Sequence, residues 1–135
     1  MGQALINVYK RIGAPIIATT GTPEKKEFLI QTFGIPESKI FSRDTSFEHG
    51  IMRLTGGKGV DVIMNSVVGE LLKRTWNCIA PFGRFIELGK ADIADNSWLE
   101  MKMFAKNVTF SAFGLVVYPR AGQRNWVIHL LKSWI

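Results

Sequence analysis

The stretch Thr55–Ser66, which reads T-G-G-K-G-V-D-V-I-M-N-S, constrains the fold of this chain more than any other. A glycine-rich turn leads into a short apolar run at residues 60–64, broken by one aspartate, and the run stops at Asn65 and Ser66. An apolar run of this length between turn signals is typical of a parallel strand buried on both faces. Ligands of open α/β sheets bind just beyond the carboxyl ends of such strands. Asn65 and Ser66 are therefore candidate site residues, or they merely end a strand.

Helical and strand patterns alternate along the chain, which predicts an α/β fold built on a parallel sheet. Strands are predicted at residues 15–19, 39–41, 60–65, 82–88 and 108–112, and helices at 2–12, 23–33, 47–54, 71–79 and 126–135. The strand at 108–112 alternates apolar and polar residues, as a half-exposed edge strand does. Capping-box spacing opens helices at Thr45-x-x-Glu48 and Ser97-x-x-Glu100, and Gly34 is placed to end the second helix.

The chain opens on a helix, whereas a doubly wound sheet normally begins with a strand and a glycine-rich turn. Only Gly2 would remain of that turn, so we expect residues 1–135 to be one truncated, Rossmann-like, doubly wound parallel sheet that lacks its first strand. In the usual strand order this strand lies between 15–19 and 60–65. Each buried unpaired amide costs about 1–3 kcal/mol. We therefore expect the isolated chain to be unstable or prone to aggregation, or else to pair the two flanking strands.

Composition and charge narrow the class of protein. The 135 residues carry a net charge of +6, but the positive residues are scattered and no nucleic-acid-binding motif is recognisable, which argues against a nucleic-acid partner. No apolar run approaches the roughly 18 residues of a membrane span, so no membrane segment is expected. The lone Cys78 can form no internal disulfide, and a cytoplasmic location is the default expectation.

The turn before the second predicted helix carries the sharpest local signal. Thr22 is a plausible N-cap and Pro23 the first helical residue, which places Lys25 in the first turn, against the helix dipole. An anionic ligand at this helix start would explain the lysine. The adenosine ribose of a dinucleotide is read after the second strand, so Lys25 would mark the 2′-phosphate of NADP; the alternative is a solvated surface lysine. Arg43, after the third strand, suits phosphate binding, although Asp44 offers it an ion pair.

Gly89 and Lys90 follow the strand at 82–88 and should lie at the same sheet edge as Asn65 and Ser66. Gly89 would let a ligand approach the backbone closely. Lys90 could anchor a cofactor or donate a proton, or it could be a solvated turn lysine. His49 and His129 show no metal-like spacing, and no metal site is predicted.

Several motifs together resemble the enoyl reductase domain of highly reducing, iterative polyketide synthases and of animal-type fatty acid synthases. These domains belong to the zinc-free medium-chain dehydrogenase/reductase superfamily. The motifs are T-P-E-K-K at Thr22–Lys26, F-S-R-D-T-S-F-E at Phe41–Glu48, the stretch Thr55–Ser66, A-P-F-G-R-F-I-E-L-G-K at Ala80–Lys90 and K-N-V-T-F at Lys106–Phe110.

The resemblance implies NADPH-dependent reduction of an α,β-unsaturated thioester held on an acyl carrier protein, in a parent synthase that can form a homodimer. It places Lys25 and Arg43 at the 2′-phosphate and Asn65 and Ser66 beside the nicotinamide-side ribose. Gly2 and Gln3 match the end of the phosphate-binding loop. Lys90 matches a lysine proposed to contact the cofactor or supply the proton, with Gly89 beside it.

The chain departs from the family pattern in three ways. The first strand and the earlier glycines of the phosphate loop are missing, and so is the GroES-like substrate half. The aspartate that many members carry after the edge strand is replaced in S-A-F-G-L by Gly114 or its neighbour Val116. The alternatives to a cofactor-binding half of an enoyl reductase are therefore a stand-alone NADP-binding, quinone-reductase-like protein and an inactive remnant that serves only in assembly.

Overall fold

The computed structural model describes residues 2–114, which form alternating helices and parallel strands. The elements are α1 (Gly2–Arg11), β1 (Ala18–Thr20), α2 (Pro23–Phe33), β2 (Ile40–Ser42), α3 (Phe47–Leu54), β3 (Val60–Asn65), α4 (Glu70–Asn77), β4 (Ile79–Glu87), α5 (Ala91–Ala94) and β5 (Thr109–Ala112). Short 3₁₀ helices at Glu37–Lys39 and Met101–Lys106 lead into β2 and towards β5. The predictions for the helix at 126–135, His129 and Val116 lie outside the described residues.

The strands form two parallel sheets. In one, β1 pairs with β2, with Ala18 opposite Ile40 and Thr20 opposite Ser42. In the other, β3, β4 and β5 lie side by side in that order. This is the arrangement left when a doubly wound sheet lacks the strand between β1 and β3, as the fold prediction states. In the described part of the chain β1 and β3 do not pair, so the alternative in which the flanking strands close the gap is wrong.

The glycine-rich turn and β3 form where the sequence predicts them, but β3 is not buried on both faces, since Val62 is 41% exposed. Strand β4 begins earlier than expected. Ile79, predicted to end α4, instead starts β4 and pairs with Val60, and the pairing shifts in register before Val62 meets Arg84. Gly59 has φ of +87°, and a Cβ there would lie 2.4 Å from the carbonyl oxygen of Cys78. The backbone of the turn therefore approaches the end of α4 as only a glycine allows.

Helix α2 confirms its predicted boundaries. The Thr22 hydroxyl accepts a hydrogen bond from the Lys25 amide at 3.4 Å, Pro23 opens the helix, and Gly34 ends it at φ of +62°.

The two predicted capping boxes, at Thr45-x-x-Glu48 and Ser97-x-x-Glu100, are wrong. At α3 it is Asp44 that accepts from the Ser46 amide, at 2.8 Å, because Ser46 itself is helical and its hydroxyl does not cap the helix. The 3₁₀ helix that begins at Met101 has Glu100 in the capping position and no side-chain cap.

Two apolar clusters hold the two sheets. The larger lies between the β3–β5 sheet and helices α3 and α4, and its buried members are Phe47, Ile51, Ile63, Leu72, Trp76, Cys78, Ile79 and Phe85. The smaller joins α1 and α2 to β2 through Ile6, Phe33, Ile35 and Ile40. Both clusters leave the carboxyl ends of the strands to polar residues, and the candidate site residues lie there.

Candidate functional site

The first polar group lies where β1 and β2 end. Helix α2 begins three residues after β1, and the Thr22 cap fixes its first turn, which contains Lys25. The Lys25 side chain is exposed, and among the described residues it has no ion-pair partner. A cation is therefore held at the positive end of a helix, where the dipole does not stabilise it.

Arg43 follows β2 at the same sheet edge. Its backbone amide donates to the carbonyl of Thr20 at 2.7 Å, which continues the parallel ladder, and its guanidinium lies 3.5 Å from the carbonyl of Thr19. The ion pair with Asp44 that the sequence allowed is not formed among the described residues. The Asp44 carboxylate accepts from the Ser46 hydroxyl and amide, which lowers the pKa of Asp44. Lys25 and Arg43 thus border the end of β1, each without a carboxylate partner in the described part of the chain.

The second polar group lies where β3 and β4 end, and at its centre are two side chains that are each 2% exposed, Asn65 and Glu87. The Asn65 amide nitrogen donates to Glu87 Oε2 at 2.6 Å and to the Val67 carbonyl at 2.8 Å. The Gly89 amide donates to Glu87 Oε1. Burial raises the pKa of Glu87, while the hydrogen bonds from Asn65 and Gly89 oppose that rise.

Sequence reasoning singled out Asn65 and Gly89 but missed Glu87. The signal was present, because Gly83, Phe85 and Glu87 alternate with outward residues and share the buried face of β4. A carboxylate in register with a core phenylalanine needs buried partners. Asn65 on the neighbouring strand β3 supplies one partner, which becomes visible only once β3 and β4 are paired, and Gly89 in the loop after β4 supplies the other.

The other predicted site residues are exposed around these two groups. Ser66 and Lys90 lie at the surface of the loops after β3 and β4. Gly2 and Gln3 are exposed in the first turn of α1, and a Cβ at Gly2 would meet no atom within 4 Å. Within residues 2–114, no hydrogen bond or ion pair joins Lys25 or Arg43 to the group around Asn65.

Parallel strands with helical crossovers, and polar groups at the carboxyl ends of the strands, define a Rossmann-like domain of the nucleotide-binding class. A family model described as zinc-binding dehydrogenase matches residues 1–132. The chain therefore belongs to that family, and within it to the cofactor-binding half of the enoyl reductase domain of polyketide synthases.

Solved structures support the narrower assignment to the enoyl reductase domain of polyketide synthases. The nucleotide-binding subdomain of the enoylreductase domain of PpsC from Mycobacterium tuberculosis is 36% identical, with a TM-score of 0.80, and the match covers 97% of this chain and 74% of that one. The CurK enoyl reductase is 33% identical with a TM-score of 0.75, over 98% of this chain and 38% of that one.

Curated relatives are much longer. The reducing polyketide synthase FUB1 of Gibberella moniliformis is 56% identical over 98% of this chain, and the highly reducing polyketide synthase phiA of Fungal sp. is 57% identical over 85%. The chain spans only 6% and 4% of their respective lengths.

The residues that the structure describes do not fit the zinc of the family's description. Among residues 2–114 no three side chains of His, Cys, Asp or Glu form a group that could hold a metal ion. Cys78 is buried, and desolvation raises its pKa to about 12, while His49 is exposed on α3. No helix in the described part of the chain has the length and hydrophobicity needed to cross a membrane.

Proposed function

We propose that this chain binds NADPH for an enoyl reductase that reduces α,β-unsaturated acyl thioesters on an acyl carrier protein. The observation that carries the proposal is the pair of cations, Lys25 and Arg43, at the carboxyl end of β1 and β2 with no carboxylate partner among the described residues. The enoyl reductases and polyketide synthases to which the chain is similar support the reaction class.

The adenosine end of the cofactor would lie over β1 and β2. In doubly wound sheets the ribose that carries the 2′ substituent is read just after the second strand of the full sheet, which corresponds to β1 here. A 2′-phosphate needs cationic donors, and arginine can bind it in a bidentate manner. With Lys25 in the first turn of α2 and Arg43 after β2, the donor set fits NADPH better than NADH.

The nicotinamide end would lie over β3 and β4, beside Asn65, Ser66, Gly89 and Lys90. When bound, the nicotinamide supplies the hydride that reaches the β-carbon of the enoyl thioester, and a proton is added at the α-carbon. Lys90 is exposed at this edge and is the candidate proton donor of the described residues. Gly2 and Gln3, at the start of α1, would contact the pyrophosphate through the first turn of that helix.

The domain would be completed by other parts of a synthase. A strand between β1 and β3 would join the two sheets, and a GroES-like substrate domain would bring the carrier-bound thioester to Lys90. Membership in a homodimeric, cytoplasmic synthase belongs to the same proposal. The acid that accompanies the lysine in many relatives has no counterpart at Gly114, so Lys90 would act without it.

The test is a titration of the 135-residue chain with NADPH and with NADH, followed by the fluorescence of the reduced nicotinamide. We expect Lys25→Ala to weaken NADPH binding about tenfold or more, as for the loss of one charged hydrogen bond, and to leave NADH nearly unchanged. Lys73→Ala, which removes an exposed lysine of α4, is the matched control and should bind both cofactors as the wild type does.

Two results would contradict the proposal. If Lys25→Ala weakens the binding of NADPH and of NADH equally, the lysine does not recognise the 2′-phosphate. Wild-type chain that is folded by circular dichroism and binds neither cofactor at millimolar concentration would support the assembly remnant instead.

A further inference from the structure

We propose that Glu87 is a positioning residue that fixes the loops after β3 and β4 relative to each other, and so shapes the nicotinamide end of the cofactor site. The inference rests on the proposed function, because it assigns Glu87 a part in that site. Glu87 itself, at 2% exposure, lies beneath the loops and would not touch the cofactor.

The contacts that carry the inference run from one carboxylate to both loops. Oε2 of Glu87 accepts from Asn65, whose amide nitrogen also donates to the Val67 carbonyl, 2.8 Å away in the loop after β3. Oε1 accepts from the backbone of Gly89 in the loop after β4. Each loop thus has a hydrogen bond that ends, directly or through Asn65, on the same side chain.

Backbone pairing alone does not hold these loops. The last ladder hydrogen bond between β3 and β4 runs from the Leu88 amide to the Asn65 carbonyl at 2.8 Å. Ser66, Val67 and Gly89 lie beyond it, and the carboxylate of Glu87 is the group that continues the connection. A second, outer connection joins the Gly69 amide to Asp92 Oδ2 at 2.9 Å.

A carboxylate suits this position where an amide would not. Both partners, the Asn65 amide nitrogen and the Gly89 N–H, are donors, so the residue between them needs two acceptor oxygens. Glutamine offers one oxygen and one NH₂, which must face a donor on one side. Glycine at position 89 leaves room for the same carboxylate, because a Cβ there would lie 2.6 Å from Glu87 Oε1.

The alternative is that Glu87 only stabilises the fold, and ligands that occupy one end of the site separate the two roles. The compound 2′,5′-ADP carries the adenosine end of NADPH without the nicotinamide. We expect Glu87→Gln in the 135-residue chain to weaken NADPH about tenfold and 2′,5′-ADP less than about twofold, since the change is local to β3 and β4. Glu100→Gln, at an exposed glutamate, is the matched control and should leave both ligands unchanged.

A reciprocal exchange guards against a variant that simply folds poorly. In Asn65→Asp/Glu87→Gln the new glutamine can still accept from Gly89 and can donate to the new aspartate, whereas the aspartate can no longer donate to the Val67 carbonyl. We expect this double variant to bind NADPH more tightly than Glu87→Gln but less tightly than the wild type.

Failure of the inference differs from failure of the proposed function. Glu87→Gln that binds both ligands as the wild type does, or weakens both equally, would overturn the positioning role. The proposed function would stand in that case if Lys25→Ala still weakens NADPH and not NADH. A double variant no better than Glu87→Gln would overturn the positioning role as well. Wild-type chain that is folded by circular dichroism and binds neither ligand would refute the cofactor site itself, and the positioning role with it.

Discussion

Glu87 is a buried carboxyl group whose protonation differs between the folded and the unfolded chain. Burial of a carboxylate disfavours its charged form, whereas two donated hydrogen bonds favour it. In this chain burial outweighs the hydrogen bonds from Asn65 and Gly89, and nearby Asp92 adds a smaller like-charge effect, so the pKa of Glu87 is raised. The native state therefore holds a proton on Glu87 at pH values where the unfolded chain has released it.

This protonation predicts a pH dependence of stability with a definite sign. Because its pKa is raised on folding, the contribution of Glu87 is fully present below its ordinary value of 4.5 and is lost as the pH rises through the raised value. Urea unfolding at a series of pH values should show that wild type loses stability over this window relative to Glu87→Gln.

A surface glutamate supplies the control of opposite sign. Glu24 has a lowered pKa, owing to its own backbone N–H and to Thr22 at the start of α2. The contribution of Glu24 to stability is therefore present above pH 4.5 and lost as the pH falls. The free energy of unfolding of the wild type should rise relative to that of Glu24→Gln as the pH rises. If the wild type instead becomes more stable relative to Glu87→Gln as the pH rises, the hydrogen bonds outweigh burial, contrary to the prediction.

At the scale of elements, Trp76 is the largest buried side chain that packs α4 against the larger sheet. Trp76 is 0% exposed, and its ring meets Phe85 and Phe110 edge to face at 5.3 and 5.7 Å. Its indole N–H donates to the Glu100 carbonyl at 2.9 Å, which ties the segment before the 3₁₀ helix to α4. Phe104 of the 3₁₀ helix lies 5.1 Å from the same ring, so β4, β5 and the 3₁₀ helix all contact this one side chain of α4.

Trp76→Ala should cost about 3–5 kcal/mol, the range for deleting a buried large aromatic. That is a large part of the roughly 5–15 kcal/mol that stabilises a typical domain. Trp98→Ala removes the same kind of side chain at a position that is 89% exposed, and it should change the free energy of unfolding by less than about 0.5 kcal/mol. Chemical denaturation of both variants measures the contrast, and similar costs for the two would contradict the packing described here.

The sequence predicted these elements best where local chemistry decides them. The Thr22 cap, Pro23 and Gly34 set both ends of α2, and no distant residue is needed. Ile79 was misassigned to α4 because an apolar residue after a helix fits either its last turn or the next strand. Pairing with Val60 decides between them, and that contact spans 19 positions that periodicity does not connect.

The same distinction applies to the candidate site. Lys25 and Arg43 could be placed at the end of β1 and β2 from turn chemistry and strand order, and the structure has them there. The link between Asn65 and Glu87 joins residues 22 positions apart on different strands. Only the register of β3 against β4 brings them together, and a single sequence does not reveal that register.

For the whole molecule, two sheets with separate cores share few connections. Ile17 beside β1 and Phe41 of β2 pack against the larger cluster, but their own sheet is held by the smaller one. Between the sheets β1 and β3 each present an edge with no strand partner in the described part of the chain. Open edges of this kind pair readily with other chains.

The 135-residue chain should therefore melt at low temperature and self-associate through β3. Circular dichroism should show a broad transition, and light scattering should rise with protein concentration, because unpaired β3 edges can join two copies. Val62 on β3 is 41% exposed, and Val62→Lys should reduce the scattering by placing a charge on this strand. Val68→Lys, a comparable change just after the strand at 49% exposure, should leave the scattering unchanged. A sharp, cooperative transition at high temperature would show that the two sheets are stable without a strand between them.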